Sequence, residues 1–296
     1  MFKVKIYANT PKASAFHDIQ RMNQENSVSI LGCGWLGFPL AQQLVQSAYR
    51  VNGSSTREEK LVQFSGGGIQ PFLIRLDQRE TLANFQEFAD SEILIIAVPP
   101  GSSPEKKEAY LQFFQSLSDL LSANQQVRQL IYISSTSVYG EPNSLVDEAS
   151  VLEPIETNGK LLAEVEQVLQ TLHLPTCIIR AGGLIGPGRN PGRFFAGRQN
   201  IPNGQAPVNL IHQADVIQII LHAIAVRYQG IINACAPSHP SRSEFYSLAA
   251  QQAGLASPSF IQEKGQWKQV EPKYLQQVEF KFNYPNLLDP ALFQSF

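Results

Sequence analysis

The chain has 296 residues, 43% of them hydrophobic and 16% charged, with a formal net charge of -2. Such a composition can bury a sizeable core, which excludes wholesale disorder, and no basic tract marks a nucleic-acid surface. No apolar run reaches the length of a membrane span, and the N-terminus lacks the apolar core of a signal peptide. Cysteines 33, 177 and 235 have no metal-ligand spacing and leave an odd thiol. They fit small buried thiols in a reducing cytoplasm better than a disulfide framework. The five histidines share no ligand spacing either, so no metal is expected.

Residues 1–27 carry little pattern beyond Val4-Lys5-Ile6. They read as an N-terminal extension, and Met22 suggests that the first 21 residues are an addition or a misplaced start. The first convincing strand is Val28-Ser29-Ile30-Leu31, which runs straight into Gly32-Cys33-Gly34-Trp35-Leu36-Gly37. Leu36, Leu40, Ala41, Leu44, Val45 and Ala48 then recur at helical spacing. Tyr49 to Ser54 reads as a second strand, Gly66-Gly67-Gly68 as a turn, Pro71 to Leu76 as a third strand and Glu92 to Val98 as a buried fourth. Tyr110, Phe113, Phe114, Leu117, Leu120 and Leu121 mark one face of a helix. Leu130 to Ser134 is a fifth strand, and Leu161, Leu162, Val165, Val168, Leu169 and Leu172 stripe a long helix. Thr176 to Arg180 is a sixth strand.

This alternation predicts an α/β fold, a Rossmann-type doubly wound parallel sheet. After Arg180 the chain turns glycine- and proline-rich, as a small C-terminal substrate lobe would, before Ile217, Ile220, Leu221 and Ile224 give one more amphipathic helix. The domains expected are 28–180 for dinucleotide binding and 181–296 for substrate, the second interleaved with the first.

A G-x-G-x-x-G spacing is weak evidence alone, but here it follows a strand, opens a helix and precedes a second strand. Gly32 permits the tight turn, Gly34 lets the backbone approach a pyrophosphate, and Gly37 lets helix and strand pack closely. Gly32, Gly34, Trp35, Leu36 and Gly37 are therefore the candidate cofactor contacts at the helix N-terminus, where free N–H groups and the dipole favour phosphate. NAD would call for an acidic residue about 20 residues further on, to bond the ribose 2′-OH. The chain offers Gly53-Ser54-Ser55-Thr56-Arg57 instead. Hydroxyls and a guanidinium suit a 2′-phosphate, so Ser55 and Arg57 point to NADP, with NAD less favoured.

Several further segments carry a family resemblance that runs from about Val28 to about Gly254. They are Ile131 to Gly140 with its S-S-x-x-V-Y-G ending, Asn158-Gly159-Lys160 opening a helix, Arg180 to Gly188, Asn209 to Asp215, and Gly230-Ile231-Ile232-Asn233. Together these resemble the extended and atypical short-chain dehydrogenase/reductases, in the NAD(P)-dependent epimerase/dehydratase superfamily. The resemblance implies an oxidoreductase or epimerase acting on a carbonyl or hydroxyl of a sugar nucleotide or similar small metabolite, in the cytoplasm, in a family that commonly forms homodimers. By position, Ser135 would hold the substrate oxygen and Lys160 the nicotinamide ribose. The family's tyrosine acid/base, four residues before the lysine, is replaced by Glu156. Glu156, Tyr139 or a water would then handle the proton, though Tyr139 follows the family strand in a structural role. The loss equally fits a catalytically inactive NADP(H) sensor or regulatory protein, and a ligand-free structural subunit is a third reading.

The remaining polar residues read as follows. Arg180, Arg189, Arg193 and Arg198 are candidates for an anionic substrate site. Glu164 and Glu166 read as solvent-facing helix residues, Asp215 as an N-cap, and His212 as structural.

Overall fold

The computed structural model describes residues 26–78, 83–122 and 126–296. The expectations for residues 1–25, including Val4-Lys5-Ile6 and Met22, lie outside the described residues. Seven parallel strands form the central sheet: β1 (Ser27–Leu31), β2 (Arg50–Ser55), β3 (Ile69–Leu73), β4 (Ile93–Ile96), β5 (Gln129–Ser135), β7 (Thr176–Ala181) and β10 (Gly230–Ala234). Their order is β10-β7-β5-β4-β1-β2-β3. The chain winds one way from β1 to β3 and the other way from β4 to β10. Its switch point therefore lies between β1 and β4, where ligands of open α/β sheets bind.

Burial on both faces explains the continuous apolar strands. Val28, Ile30, Ile93, Ile95, Ile131 and Ile179 face one helical layer. Leu31, Leu94, Ile96, Leu130, Tyr132 and Ile178 alternate toward the other. The first layer contains α1 (Gly37–Gln46) and α7 (Gln213–Ala225), through Leu40, Leu44, Ile217 and Ile220. The second contains α4 (Pro104–Ser122) and α5 (Thr157–Gln170), through Tyr110, Phe113, Phe114, Val165 and Leu169. Each such apolar side chain, fully buried, contributes about 2 kcal/mol, so the two layers dominate the energetics of the fold.

Two further helices join these layers: α2 (Glu59–Gly66) the first, through Phe64, and the single turn α3 (Phe85–Phe88) the second, through Phe85 and Phe88. The sequence pattern misses α2, because only Phe64 of its residues is buried. Beyond Arg180 the chain adds β8 (Gly183–Ile185) with β9 (Leu210–His212), and β11 (Lys268–Val270) with β6 (Ser144–Val146), two small parallel pairs beside the main sheet. The short α6 (Gly192–Phe195), then α8 (Arg242–Gln252), α9 (Lys273–Gln277) and α10 (Pro290–Phe293), complete this part.

Three polar assignments from the sequence are corrected. Glu166 is not solvent-facing: it is fully buried and grips the equally buried Arg180, with Arg180 Nη2 at 2.7 Å from Glu166 Oε2 and Nε at 3.2 and 3.1 Å from Oε1 and Oε2. Arg180 therefore belongs to the core and not to an anionic substrate site. Its Nη1 donates to the Tyr139 hydroxyl at 2.7 Å, which donates to Asn233 Oδ1 at 2.7 Å. Burial works against the Arg180 charge, and Glu166 and Tyr139 outweigh it, holding the guanidinium above its ordinary range. Asp215 is not the cap of α7 either. His212 caps it, its Nδ1 accepting from Ala214 N at 3.1 Å. The buried Asp215 carboxylate instead accepts from the Asn283 side chain and from the backbone N–H groups of Asn283 and Tyr284, fastening the C-terminal segment to α7.

Candidate active site

The strand order brings the C-terminal ends of β1, β2, β4 and β5 to one edge, where two clefts meet. The first, about 430 Å³, is lined by the glycine turn, by Ser54 to Arg57, and by Lys60, Arg75, Asp77 and Lys106. The second, about 490 Å³, is lined by Gly34 to Leu36, Ile133 to Ser135, Leu162, Ala181, Gly182, Leu184 and Arg189. Gly34 and residues Ala97 to Pro99 line both.

Three glycines shape the junction in three ways. Gly32 has φ +99°, and a Cβ there would come within 2.7 Å of Val98 Cγ1. A Cβ on Gly34 would meet nothing within 4 Å, so its backbone faces open space. On Gly37 it would strike the Gly32 carbonyl oxygen and lie 3.2 Å from Ile30 Cγ2. Helix α1 starts here with no side-chain cap; Phe38 N bonds the Gly34 carbonyl at 3.1 Å and Pro39 has no N–H, so the cleft faces a helix N-terminus without a capping side chain. Gly32 N donates to the Ser54 hydroxyl at 2.9 Å and Cys33 N to the Ser54 carbonyl at 2.8 Å, pinning the turn to β2. Burial pushes the Cys33 thiol up to about 12, so it is a small core residue and no nucleophile.

In the first cleft Arg57 is exposed, and its backbone N–H bonds to the Ser55 hydroxyl at 3.1 Å. Lys60 and Arg75 stand beside it, unforeseen by the sequence reading. Arg75 Nε donates to the Thr56 carbonyl at 2.9 Å, which bridges the ends of β2 and β3. The signal that could have found Arg75 is its place just past the C-terminal end of a parallel strand.

In the second cleft Ser135 is half-buried. Its hydroxyl accepts from Ser137 N at 3.1 Å, leaving its own O–H free to donate. Ser134 donates to Glu166 at 2.5 Å, joining the cleft wall to the buried ion pair. Lys160 and Glu156 are not brought into either lining. Both are exposed at the start of α5, two and six residues before the cleft-lining Leu162. Tyr139 is fully buried with its hydroxyl engaged at both ends, and burial holds its phenol above the ordinary range. It cannot serve as a proton donor in the cleft. Of the other arginines proposed for an anion, Arg189 lines the cleft, Arg198 sits over Phe195 at 5.9 Å, and Arg193 is exposed on α6.

No family model matches the chain. It is 36% identical over 268 residues to protein YeeZ of Escherichia coli K12, covering 88% of this chain and 97% of that one. Among solved structures it is similar to UDP-glucuronic acid 4-epimerase from Bacillus cereus in complex with NAD, at TM-score 0.73, 17% identity, and 91% and 94% coverage of the two chains. It is also similar to the human epimerase family protein SDR39U1 with NADPH, at TM-score 0.71, 17% identity, and 90% and 98% coverage. These two share its fold.

Proposed function

The chain belongs to the family of protein YeeZ, with the fold of the extended short-chain dehydrogenase/reductases and epimerases, and from that premise we propose that it is an NADP-dependent oxidoreductase or epimerase. The observation that carries the proposal is the pair of clefts sharing Gly34: one basic and hydroxyl-lined, the other apolar with two serines and one arginine. The space at Gly34 and the uncapped start of α1 fit a dinucleotide pyrophosphate. Arg57, Lys60 and Arg75 favour a 2′-phosphate over a bare ribose hydroxyl, hence NADP over NAD. When bound, the nicotinamide supplies hydride transfer.

The chain's own residues then have these tasks. Gly32, Gly34, Trp35, Leu36 and Gly37 hold the pyrophosphate, and Ser55 and Arg57 hold the adenosine end. Ser135 donates its free O–H to the substrate oxygen. Lys160 and Glu156, exposed at the start of α5 and outside both linings, are assigned the nicotinamide ribose and the proton by their position in the family pattern alone, with a water as the alternative proton carrier. The second cleft, beside Ser135, is the space left for the substrate, such as a sugar nucleotide. Calorimetric titration with NADPH and NADH tests the reading: NADPH should bind the more tightly, and binding of neither would remove its basis.

One observation favours a second reading, a dinucleotide sensor without catalysis. Glu156 occupies the tyrosine position, and Tyr139, the phenol nearest in sequence, is locked in the core. Turnover gained only in Glu156→Tyr would favour it.

A further inference from the structure

Trp35 lies between the second and third glycines of the turn, yet its ring belongs to the other side of the cleft. Its indole N–H donates to the Pro187 carbonyl at 2.7 Å, and its own carbonyl accepts from Gln213 Nε2 at 2.6 Å. The turn Gly186 to Arg189, closed by Arg189 N to Gly186 O at 2.8 Å, lays the Arg189 guanidinium over this indole, 4.1 Å from the ring centroid. That stacking fixes the plane of the guanidinium, and its N–H edge makes no ion pair or side-chain hydrogen bond among the described residues. Arg189 is exposed, and it is the one charged residue lining the second cleft.

We infer that Arg189 is a clasp for the pyrophosphate of the dinucleotide, reaching across from the substrate lobe to the glycine turn; the inference rests on the cofactor reading above. A planar guanidinium held on edge beside an anion site forms paired charge-assisted bonds to phosphate oxygens, and the stacked indole leaves it little rotamer freedom to lose. Arg189 and Gly34 line the same cleft, so the anion this cleft offers the guanidinium is the one held at the glycine turn. Because the same turn that carries Arg189 forms one wall of the second cleft, cofactor binding also fixes that wall before substrate arrives.

The test is calorimetric titration of the wild-type chain, Arg189→Met and Arg189→Lys with NADPH and with adenosine 2′-monophosphate, which lacks the pyrophosphate. Arg189→Met should weaken NADPH at least tenfold and leave the 2′-monophosphate unchanged, with Arg189→Lys falling between. Wild-type NADPH affinity in Arg189→Met overturns the clasp, and so does an equal loss for both ligands. Retained NADPH affinity with weakened binding of UDP-glucuronic acid overturns it in favour of a substrate anchor. If the wild-type chain binds neither nucleotide, the cofactor reading itself fails, and the clasp with it.

Discussion

Replacing the second and third turn glycines one at a time separates folding from cofactor binding. Gly34→Ala adds a methyl where nothing stands within 4 Å, at a residue outside the left-handed region. Its stability should stay within about 0.5 kcal/mol of wild type, or rise slightly through a less free unfolded chain. The methyl would occupy the space a pyrophosphate needs to reach the backbone N–H groups. Losing one charge-assisted bond costs about 2 kcal/mol, or roughly 30-fold in NADPH affinity. Gly37→Ala drives its methyl into the Gly32 carbonyl, which cannot retreat because Gly32 is itself packed against Ala97 and Val98. That overpacking should cost about 3 kcal/mol of stability. Urea unfolding and calorimetric titration on both variants make the comparison. Wild-type NADPH affinity in Gly34→Ala, or wild-type stability in Gly37→Ala, would refute the reasoning.

Three other outcomes are expected. Glu166→Ala leaves the Arg180 charge buried without its carboxylate and should cost about 4 kcal/mol in urea unfolding, whereas Glu166→Leu combined with Arg180→Met should recover most of it; equal losses in the two would count against the pairing argument. Arg57→Ala should lower NADPH affinity about tenfold and leave NADH affinity unchanged in the same titration. His212 is held by burial at about 4, below its ordinary 6.5, and its Nδ1 already accepts a backbone N–H. The unfolded chain therefore binds the proton that the folded chain refuses, and His212's contribution, up to about 3 kcal/mol, is present above pH 6.5 and lost as pH falls toward 4. Neighbouring Asp215 acts in the opposite sense, since burial raises its carboxyl and its share of stability grows as pH falls. His212→Asn should flatten the decline of the urea midpoint between pH 6.5 and 5; an unchanged slope would clear His212 of the effect.

Wherever a single element carried its own repeating signal, the sequence was readable. The run from Val28 through Leu44 is such a case, because a strand buried on both faces, a glycine turn and an amphipathic helix each announce themselves locally. Strand β10 was less legible: its five residues carry no alternation, and Gly230 to Asn233 drew notice only as a family segment. Glu166 was misread although the stripe 162, 165, 166, 169 contains it, since a helix carboxylate is ordinarily solvated and its partner lies on a distant strand. Asp215 was misread for a related reason, because its partners at Asn283 and Tyr284 come from a part of the chain with no periodic pattern. Lys60, Arg75 and the stack of Arg189 on Trp35 depend on which loops the sheet order gathers at one edge, and no local pattern encodes that.

The chain has two tryptophans. One is Trp35, under the Arg189 guanidinium, and the other, Trp267, lies under the Lys264 ammonium at 3.6 Å, beside β11. Removing the second as Trp267→Phe leaves a protein whose tryptophan emission comes from the glycine turn alone. The indole there sits under a cation and shares its N–H with the facing loop, so any ligand that drew Arg189 aside would change both its brightness and its colour. The molecule thus carries a native optical gauge of its own cleft, readable without label and fast enough for stopped-flow, by which the order of ligand arrival can be timed.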